Sequence, residues 1–262
     1  MNLQMSSIKI LGAYGTKSDS CGSSAFLLND THVLDAGNLL NPLKDKCANI
    51  ETIWLTHSHL DHISDIAFVL DNYYEQRKKT LRICGLKETL ETLKKHFFNH
   101  KIWPDFSEIP LYHSDTMSVV YEEIEYEKAY PIGIETTIKA FPTDHTVASC
   151  GYVIEKEGSA VLISADTYDL GSVLTIVKEQ EKLTTLVIEC SFPSSMDALA
   201  KKSKHLTPKL LFNALKCIEN KDIKLYINHL KPSYKKIITQ EIEALKNTWD
   251  VTILGDGDKI NF

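Results

Sequence analysis

The sequence predicts an α/β protein: layered sheets with helices packed outside them, in one domain. Three observations carry that expectation. Apolar runs of strand length alternate with stretches of helical periodicity along most of the chain. No internal repeat, low-complexity segment or Gly/Ser linker divides it. The 262 residues, 43% hydrophobic and 24% charged, suffice for a full core, so a single domain over 1–262 is expected.

The elements follow in order. Ile8–Leu11 reads as a strand ahead of Gly12 and Gly15. Ala25–Leu28 and Thr31–Leu34 form a hairpin across the turn pair Asn29-Asp30. Ile50–Leu55 is a buried strand, and Ile63, Ile66, Ala67 and Leu70 space a helix from Ile63 to about Tyr73. Leu81–Cys84 reads as a strand and Lys87–Phe98 as a helix. The aromatic stretch His96–Phe106 has no clean period; its rings suit core packing better than a stacking wall for a base. Further strands are expected at Thr136–Ala140, Tyr152–Ile154, Ala160–Ile163, Leu186–Glu189, Lys224–Ile227 and Val251–Leu254. Thr207-Pro208 caps a helix with Leu210, Leu211, Ala214, Leu215 and Ile218 on one face, and a last helix spans Ser233–Lys246.

Charge and cysteine usage exclude several classes. With 29 Lys+Arg against 35 Asp+Glu the formal charge is −6, which argues against broad adhesion to nucleic acid or anionic membranes. No apolar run nears the roughly 20 residues that cross a bilayer, and Met1–Ser7 lacks a signal-peptide pattern. Six cysteines stand singly without a CxxC pair, so no disulfide framework is expected and a cytoplasmic home follows.

The chemistry concentrates in Thr56-His57-Ser58-His59-Leu60-Asp61-His62, where three histidines and an aspartate follow an apolar strand within six residues. In an extended exit from a strand, His57 and His59 share a side while Asp61 and His62 turn to a neighbouring point. That arrangement suits two adjacent metal ions. Mixed imidazole and carboxylate favours zinc, with manganese or iron less well matched. More ligands must come from other strand ends, and His145, Asp166 and His229 each follow one. Taken singly, Asp166 reads as the cap of a helix near Tyr168 and His229 as a satisfied core histidine. His32, His96, His100 and His113 read as surface or rim residues.

The block, the downstream His, Asp and His in order, and Leu34-Asp35-Ala36-Gly37 together resemble the metallo-β-lactamase superfamily over nearly the whole chain. The resemblance implies a four-layer αββα sandwich with two divalent metals on one edge. By position, His57, His59 and His145 would hold one ion, Asp61, His62 and His229 the other, and Asp166 would bridge them. Zinc β-lactamases generally carry Cys at the bridging position, so antibiotic hydrolysis is not expected. A bridging carboxylate spaces two cations about 3.5–4 Å apart, as phosphoester cleavage requires.

Glu189-Cys190-Ser191-Phe192 and Ser203-Lys204-His205-Leu206-Thr207-Pro208 are similar to the Glu- and His-bearing loops of phosphodiesterase branches. There the resemblance implies catalytic roles for His205 as general acid, Glu189 as its orienting partner, and Asp61. The plainer readings are a surface carboxylate for Glu189 and a helix-flanking imidazole for His205. His59–Ile66, Ile102–Phe106, Ser191-Phe192-Pro193 and His229–Pro232 look like the class II cyclic-nucleotide phosphodiesterases, although Asp65 stands where that signature commonly has Gly or Ser. The expectation is hydrolysis of a small 3′,5′-cyclic nucleotide, cAMP or cGMP, to the 5′-monophosphate. No membrane or stable nucleic-acid partner is expected, and a homodimer is the base-rate state. The rivals are an endonuclease maturing transfer-RNA 3′ ends, another binuclear hydrolase such as a thioesterase, and a non-catalytic nucleotide-sensing scaffold. Glu122-Glu123-Ile124-Glu125 stands against the endonuclease, whose relatives carry a basic, Gly-rich arm.

Overall fold

The structure, a computed structural model, describes residues 7–262; the leader reading of Met1–Ser7 falls on residues 1–6, outside them. The first sheet contains β1 (Ser7–Gly12), β2 (Ala25–Leu27), β3 (His32–Leu34), β4 (Thr52–Trp54), β5 (Leu81–Gly85) and β6 (Val119–Glu123). The second contains β7 (Ala129–Gly133), β8 (Thr136–Pro142), β9 (Cys150–Lys156), β10 (Ser159–Ile163), β11 (Leu183–Glu189), β12 (Lys224–Asn228) and β13 (Val251–Ile253). A last strand, β14 (Lys259–Asn261), returns to pair with β1, so each sheet has seven strands. The helices are α1 (Leu40–Leu43), α2 (Leu60–Asn72), α3 (Lys87–His96), α4 (Gly171–Glu179), α5 (Asp197–Ser203), α6 (Pro208–Ala214) and α7 (Lys235–Leu245).

Strand alternation builds the layers. Along β3, β4 and β5, Val33, Ile53 and Ile83 face Ile66, Val69 and Leu70 of α2 and Leu90 and Leu93 of α3 in one apolar cluster. Leu34 and Trp54, their neighbours in sequence, join a second cluster with Ile8, Ile10 and Phe26 of the same sheet and Tyr152, Ile154 and Leu162 of the other. That cluster continues to Val173 of α4, Leu211 of α6, and Ile238 and Ile242 of α7. Helices, sheet, sheet and helices therefore stack as the expected αββα sandwich. Each fully buried Ile or Leu contributes about 1.5–3 kcal/mol.

Several boundaries move. The helix expected from Ile63 starts at Leu60, so Asp61 and His62 lie in its first turn, where a carboxylate suits the positive end of the helix. The Thr207 cap holds, its side chain accepting from Leu210 N at 3.4 Å, but α6 tightens at Leu215 into a 3-10 turn before Ile218. Asp166 caps nothing: α4 begins at Gly171, whose N–H is taken by Asp169 Oδ2 at 2.9 Å. All six cysteines are free. Phe98 and Phe106 of the aromatic stretch are buried in the α2–α3 cluster, the packing role expected of them. His32 is a half-buried rim residue, lining a cavity with Thr52, Arg82 and Tyr121 while its Nδ1 accepts from Trp54 Nε1 at 3.1 Å.

Strand direction positions the site. From β3 through β6, and again from β10 through β13, neighbours run parallel, so their carboxyl ends gather along one rim of each sheet. Loops leaving such ends are where parallel sheets present functional side chains. The two rims are tied together by Cys150 N donating to Thr56 O at 3.0 Å and by the Tyr152 hydroxyl donating to Leu55 O at 2.7 Å.

Candidate metal centre

Every residue of the expected ligand set follows a strand, all but His145 from those parallel runs. The block His57–His62 follows β4, His145 follows β8, Asp166 follows β10 and His229 follows β12. His57, His59, His145 and Asp166 form one group whose ligand atoms lie within 4.8 Å of one another, and Asp61, His62 and His229 form a second. Asp166 lies between them. Its Oδ2 is 3.7 Å from His57 Nε2, 3.8 Å from His145 Nε2 and 3.4 Å from His62 Nε2, while its Oδ1 is 3.2 Å from His229 Nε2. Asp61 Oδ2 completes the second group, 3.5 Å from His229 Nε2 and 3.9 Å from His62 Nε2.

The hydrogen-bond partners on the outer side of the rings fix which nitrogen faces inward. Lys204 O can only accept, so His145 Nδ1, 3.1 Å away, carries the proton and Nε2 the lone pair. His62 Nδ1 donates to Asp35 Oδ2 at 2.7 Å. The Thr56 hydroxyl gives its proton to Asp35 at 2.9 Å and accepts from His57 Nδ1 at 3.0 Å. The Nε2 lone pairs of His57 and His145 therefore point inward, and each stands 3.1 Å from His59 Nδ1. Nitrogen lone pairs and carboxylate oxygens repel one another unless a cation lies among them. Asp166 Oδ1 is buried and makes no hydrogen bond. Burying such an acceptor unpaired costs about 1–3 kcal/mol. The donor set fits divalent metal on these grounds.

The electrostatics agree for the first group, whereas in the second burial is overcome by the Asp166 and Asp35 carboxylates, which hold His62 well above the ordinary histidine range. Burial first, then the neighbouring His62, holds His57 well below the ordinary histidine range. Burial and His145 bring His59 to about 4, and burial lowers His145. These imidazoles are neutral near pH 7, the form that ligates. Burial opposes the charge on Asp61, but the close His229 and His62 imidazoles outweigh it and keep the carboxylate ionised. Burial likewise opposes Asp166, against which His229 and His62 prevail.

His205 is 7% exposed beside this cluster, its ring stacked on that of His229 with centroids 5.4 Å apart. Its Nδ1 is 2.8 Å from Glu189 Oε1, and Glu189 is fully buried at the end of β11 rather than on the surface. Burial works against a charged His205, yet the Glu189 carboxylate, by its charge and its hydrogen bond, raises the pKa above the usual value. With Nδ1 held by Glu189, Nε2 is the atom left to exchange a proton.

Sequence reasoning gave no task to Asp35 or Thr56, which together orient one histidine of each group. An available signal was an acidic residue directly after an apolar strand and before Gly37. Four of the nine non-glycine residues with left-handed φ among the described residues adjoin the cluster: Asp35, Ala165, Lys204 and His229, at 57°, 53°, 60° and 62°. Such strain in non-glycine residues gathers at functional sites. Asp65 has a structural role instead, accepting from Leu39 N at 2.7 Å and Leu40 N at 3.1 Å ahead of α1 and pairing with Lys17 at 2.7 Å.

The family model of cAMP phosphodiesterases class-II matches residues 43–247. The chain is 25% identical over 224 residues to a probable 3′,5′-cyclic-nucleotide phosphodiesterase of Yersinia pestis, covering 74% of this chain and 63% of that protein. It is 26% identical over 238 residues to a Ribonuclease Z of Methanococcus maripaludis strain C7, covering 75% of this chain and 76% of the other. In three dimensions the crystal structure of unliganded yeast PDE1 superposes with a TM-score of 0.82 at 20% identity, over 100% of both chains.

Proposed function

The chain belongs to the family of class-II cAMP phosphodiesterases, and on that premise we propose that it hydrolyses 3′,5′-cyclic nucleotides to nucleoside 5′-monophosphates with two divalent metals, zinc foremost. The observation that carries the proposal is one buried carboxylate, Asp166, between two histidine groups, with the His205–Glu189 pair beside them. Two ions held there would polarise the cyclic phosphate and bring the pKa of a shared water toward 7.

This chain's residues do the rest. His57, His59 and His145 would hold one ion, Asp61, His62 and His229 the other, with Asp166 available to both. Asp61, 24% exposed where the other members of its group are buried, accepts a hydrogen bond from the attacking water and aims it. As the water oxygen bonds to phosphorus, the P–O3′ bond opposite breaks. His205 Nε2 delivers its proton to O3′, which would otherwise leave as an alkoxide. Glu189 keeps His205 protonated and oriented until that step. The attacking water gives up one proton to solvent and His205 takes one up for the next turnover, so one water is added across the P–O3′ bond overall.

The free thiols suit a reducing cytoplasm. Among the described residues no helix is long and apolar enough to cross a membrane. A second reading, cleavage of transfer-RNA precursors, is favoured by the ribonuclease relatives and shares the metal set. The acidic run Glu122–Glu125 opposes it, since Glu122 and Glu123 end the edge strand β6 and, among the described residues, no basic arm stands there. The test compares turnover of 3′,5′-cAMP, 3′,5′-cGMP, bis(p-nitrophenyl) phosphate and a transfer-RNA precursor by the metal-loaded protein, with Asp166→Ala as control. Opening of a cyclic nucleotide, lost in the control, supports the proposal. Cleavage of the precursor alone replaces it with the ribonuclease reading.

A further inference from the structure

We infer that Ser191 is a positioning residue: its hydroxyl selects the metal-binding tautomer of His229 and ties that ligand to the carboxylate that holds His205. The hydroxyl is fully buried in the loop that leaves β11. Its oxygen lies 2.8 Å from Glu189 Oε2, 3.0 Å from His229 Nδ1, 3.1 Å from His229 O and 3.2 Å from His205 Nδ1.

A hydroxyl has one proton and two lone pairs. Of the two groups that can only accept, the Glu189 carboxylate is nearer and charged, so it takes the proton. The oxygen then faces two imidazole nitrogens with lone pairs alone. His205 Nδ1 has its own nearer acceptor in Glu189 Oε1 at 2.8 Å. His229 Nδ1 has no other acceptor among its hydrogen bonds, so it must donate to Ser191. Its Nε2 is thereby left unprotonated, facing Asp166 Oδ1 at 3.2 Å, His62 Nε2 at 3.3 Å and Asp61 Oδ2 at 3.5 Å.

The consequence is a division of labour between two hydroxyl–carboxylate pairs. Thr56 with Asp35 sets His57 and His62, one ligand from each group. Ser191 with Glu189 sets His229, a ligand of the second group only, and His205. Losing the Ser191 hydroxyl therefore weakens the second ion selectively, where losing Asp35 weakens both. Partners behind metal-binding histidines change affinity by about 10–100-fold. The inference rests on the two-metal reading of the proposed function.

The test is titration of the metal-free full chain with cobalt(II), followed by its visible spectrum and by competition with a chelator. The native chain should take two ions. In Ser191→Ala the first should bind as in the native chain and the second about 10–100-fold more weakly, with altered d–d bands. Ser191→Thr, which keeps a hydroxyl, should restore the second ion. Two ions bound by Ser191→Ala with native affinities would overturn the inference and leave the two-metal reading intact. A native chain that binds fewer than two ions would overturn both. Should Ser191→Ala fail to fold, imidazole ¹⁵N shifts of the native chain decide: a proton on His229 Nδ1 supports the assignment and one on Nε2 refutes it.

Discussion

Replacing Asp35 by Asn changes one atom and removes one charge from the point where Thr56 and His62 both donate. Asp35 is 1% exposed and accepts from Thr56 N at 2.9 Å, from the Thr56 hydroxyl at 2.9 and 3.1 Å, and from His62 Nδ1 at 2.7 Å. An amide has one oxygen for these donors. If that oxygen stays with Thr56 N, the amide nitrogen meets His62 Nδ1, donor against donor. His62 can relieve the clash only by moving its proton to Nε2, the atom 3.4 Å from Asp166 Oδ2. A hydrogen bond to a charged group is worth about 1.5–3 kcal/mol, and the displaced donor is left buried and unpaired. Each 1.4 kcal/mol is tenfold in an equilibrium constant. Asp35→Asn should therefore lose about 10–100-fold in metal affinity. The Thr56 relay extends the loss to His57, so both ions should weaken. Metal per chain after chelator competition, measured against folded protein by circular dichroism, reads this directly. Native affinity for both ions in a folded Asp35→Asn chain would refute the tautomer assignment.

Three further outcomes are expected. His205→Ala should retain the native metal content while cyclic-nucleotide turnover falls about 10²–10⁴-fold; unchanged turnover would remove His205 as the proton donor. A Cβ at Gly15 would lie 2.7 Å from the His229 ring, so Gly15→Ala should displace that imidazole and reduce metal content and turnover together; native values for both would show that the loop yields freely. Burial, then the charge of Arg82, brings His32 to about 4 from an ordinary 6.5, so the unfolded chain binds more protons than the folded one between those values. Stability contributed there is full above pH 6.5 and is lost as pH falls toward 4. His32→Gln keeps an acceptor for Trp54 Nε1 and does not titrate, so its melting temperature relative to native should rise as pH drops from about 7.5 to about 4.5; a difference independent of pH would contradict this.

How far the chain could be read depended on where each element sits. β1 to β5 and β8 to β12 are interior to their sheets, and their apolar runs made them legible. The strands that were missed, β6, β7 and β14, all lie at a sheet edge, where one side needs no apolar partner. β7 even carries Pro131 and Gly133, which an edge tolerates. The candidate ligand cluster was legible because three histidines and an aspartate so close together seldom serve packing alone. Asp166 by itself looked like a cap, and only the strand end that carries it next to five histidines separates the readings. Thr56 and Ser191 stand in segments that were read, but their roles could not be. A serine or threonine is a common residue, and its work as a relay depends on neighbours up to 38 positions away. Asp65 shows the converse, a departure from a family pattern whose reason is a buried cap for the chain ahead of α1.

Zinc per chain and cyclic-nucleotide turnover, measured in the same samples as metal-free protein is titrated, test the two-metal centre most directly. Turnover should rise with the second equivalent of zinc and yield only nucleoside 5′-monophosphate. Full turnover at one equivalent, or none at two with the chain folded, would contradict a binuclear phosphodiesterase.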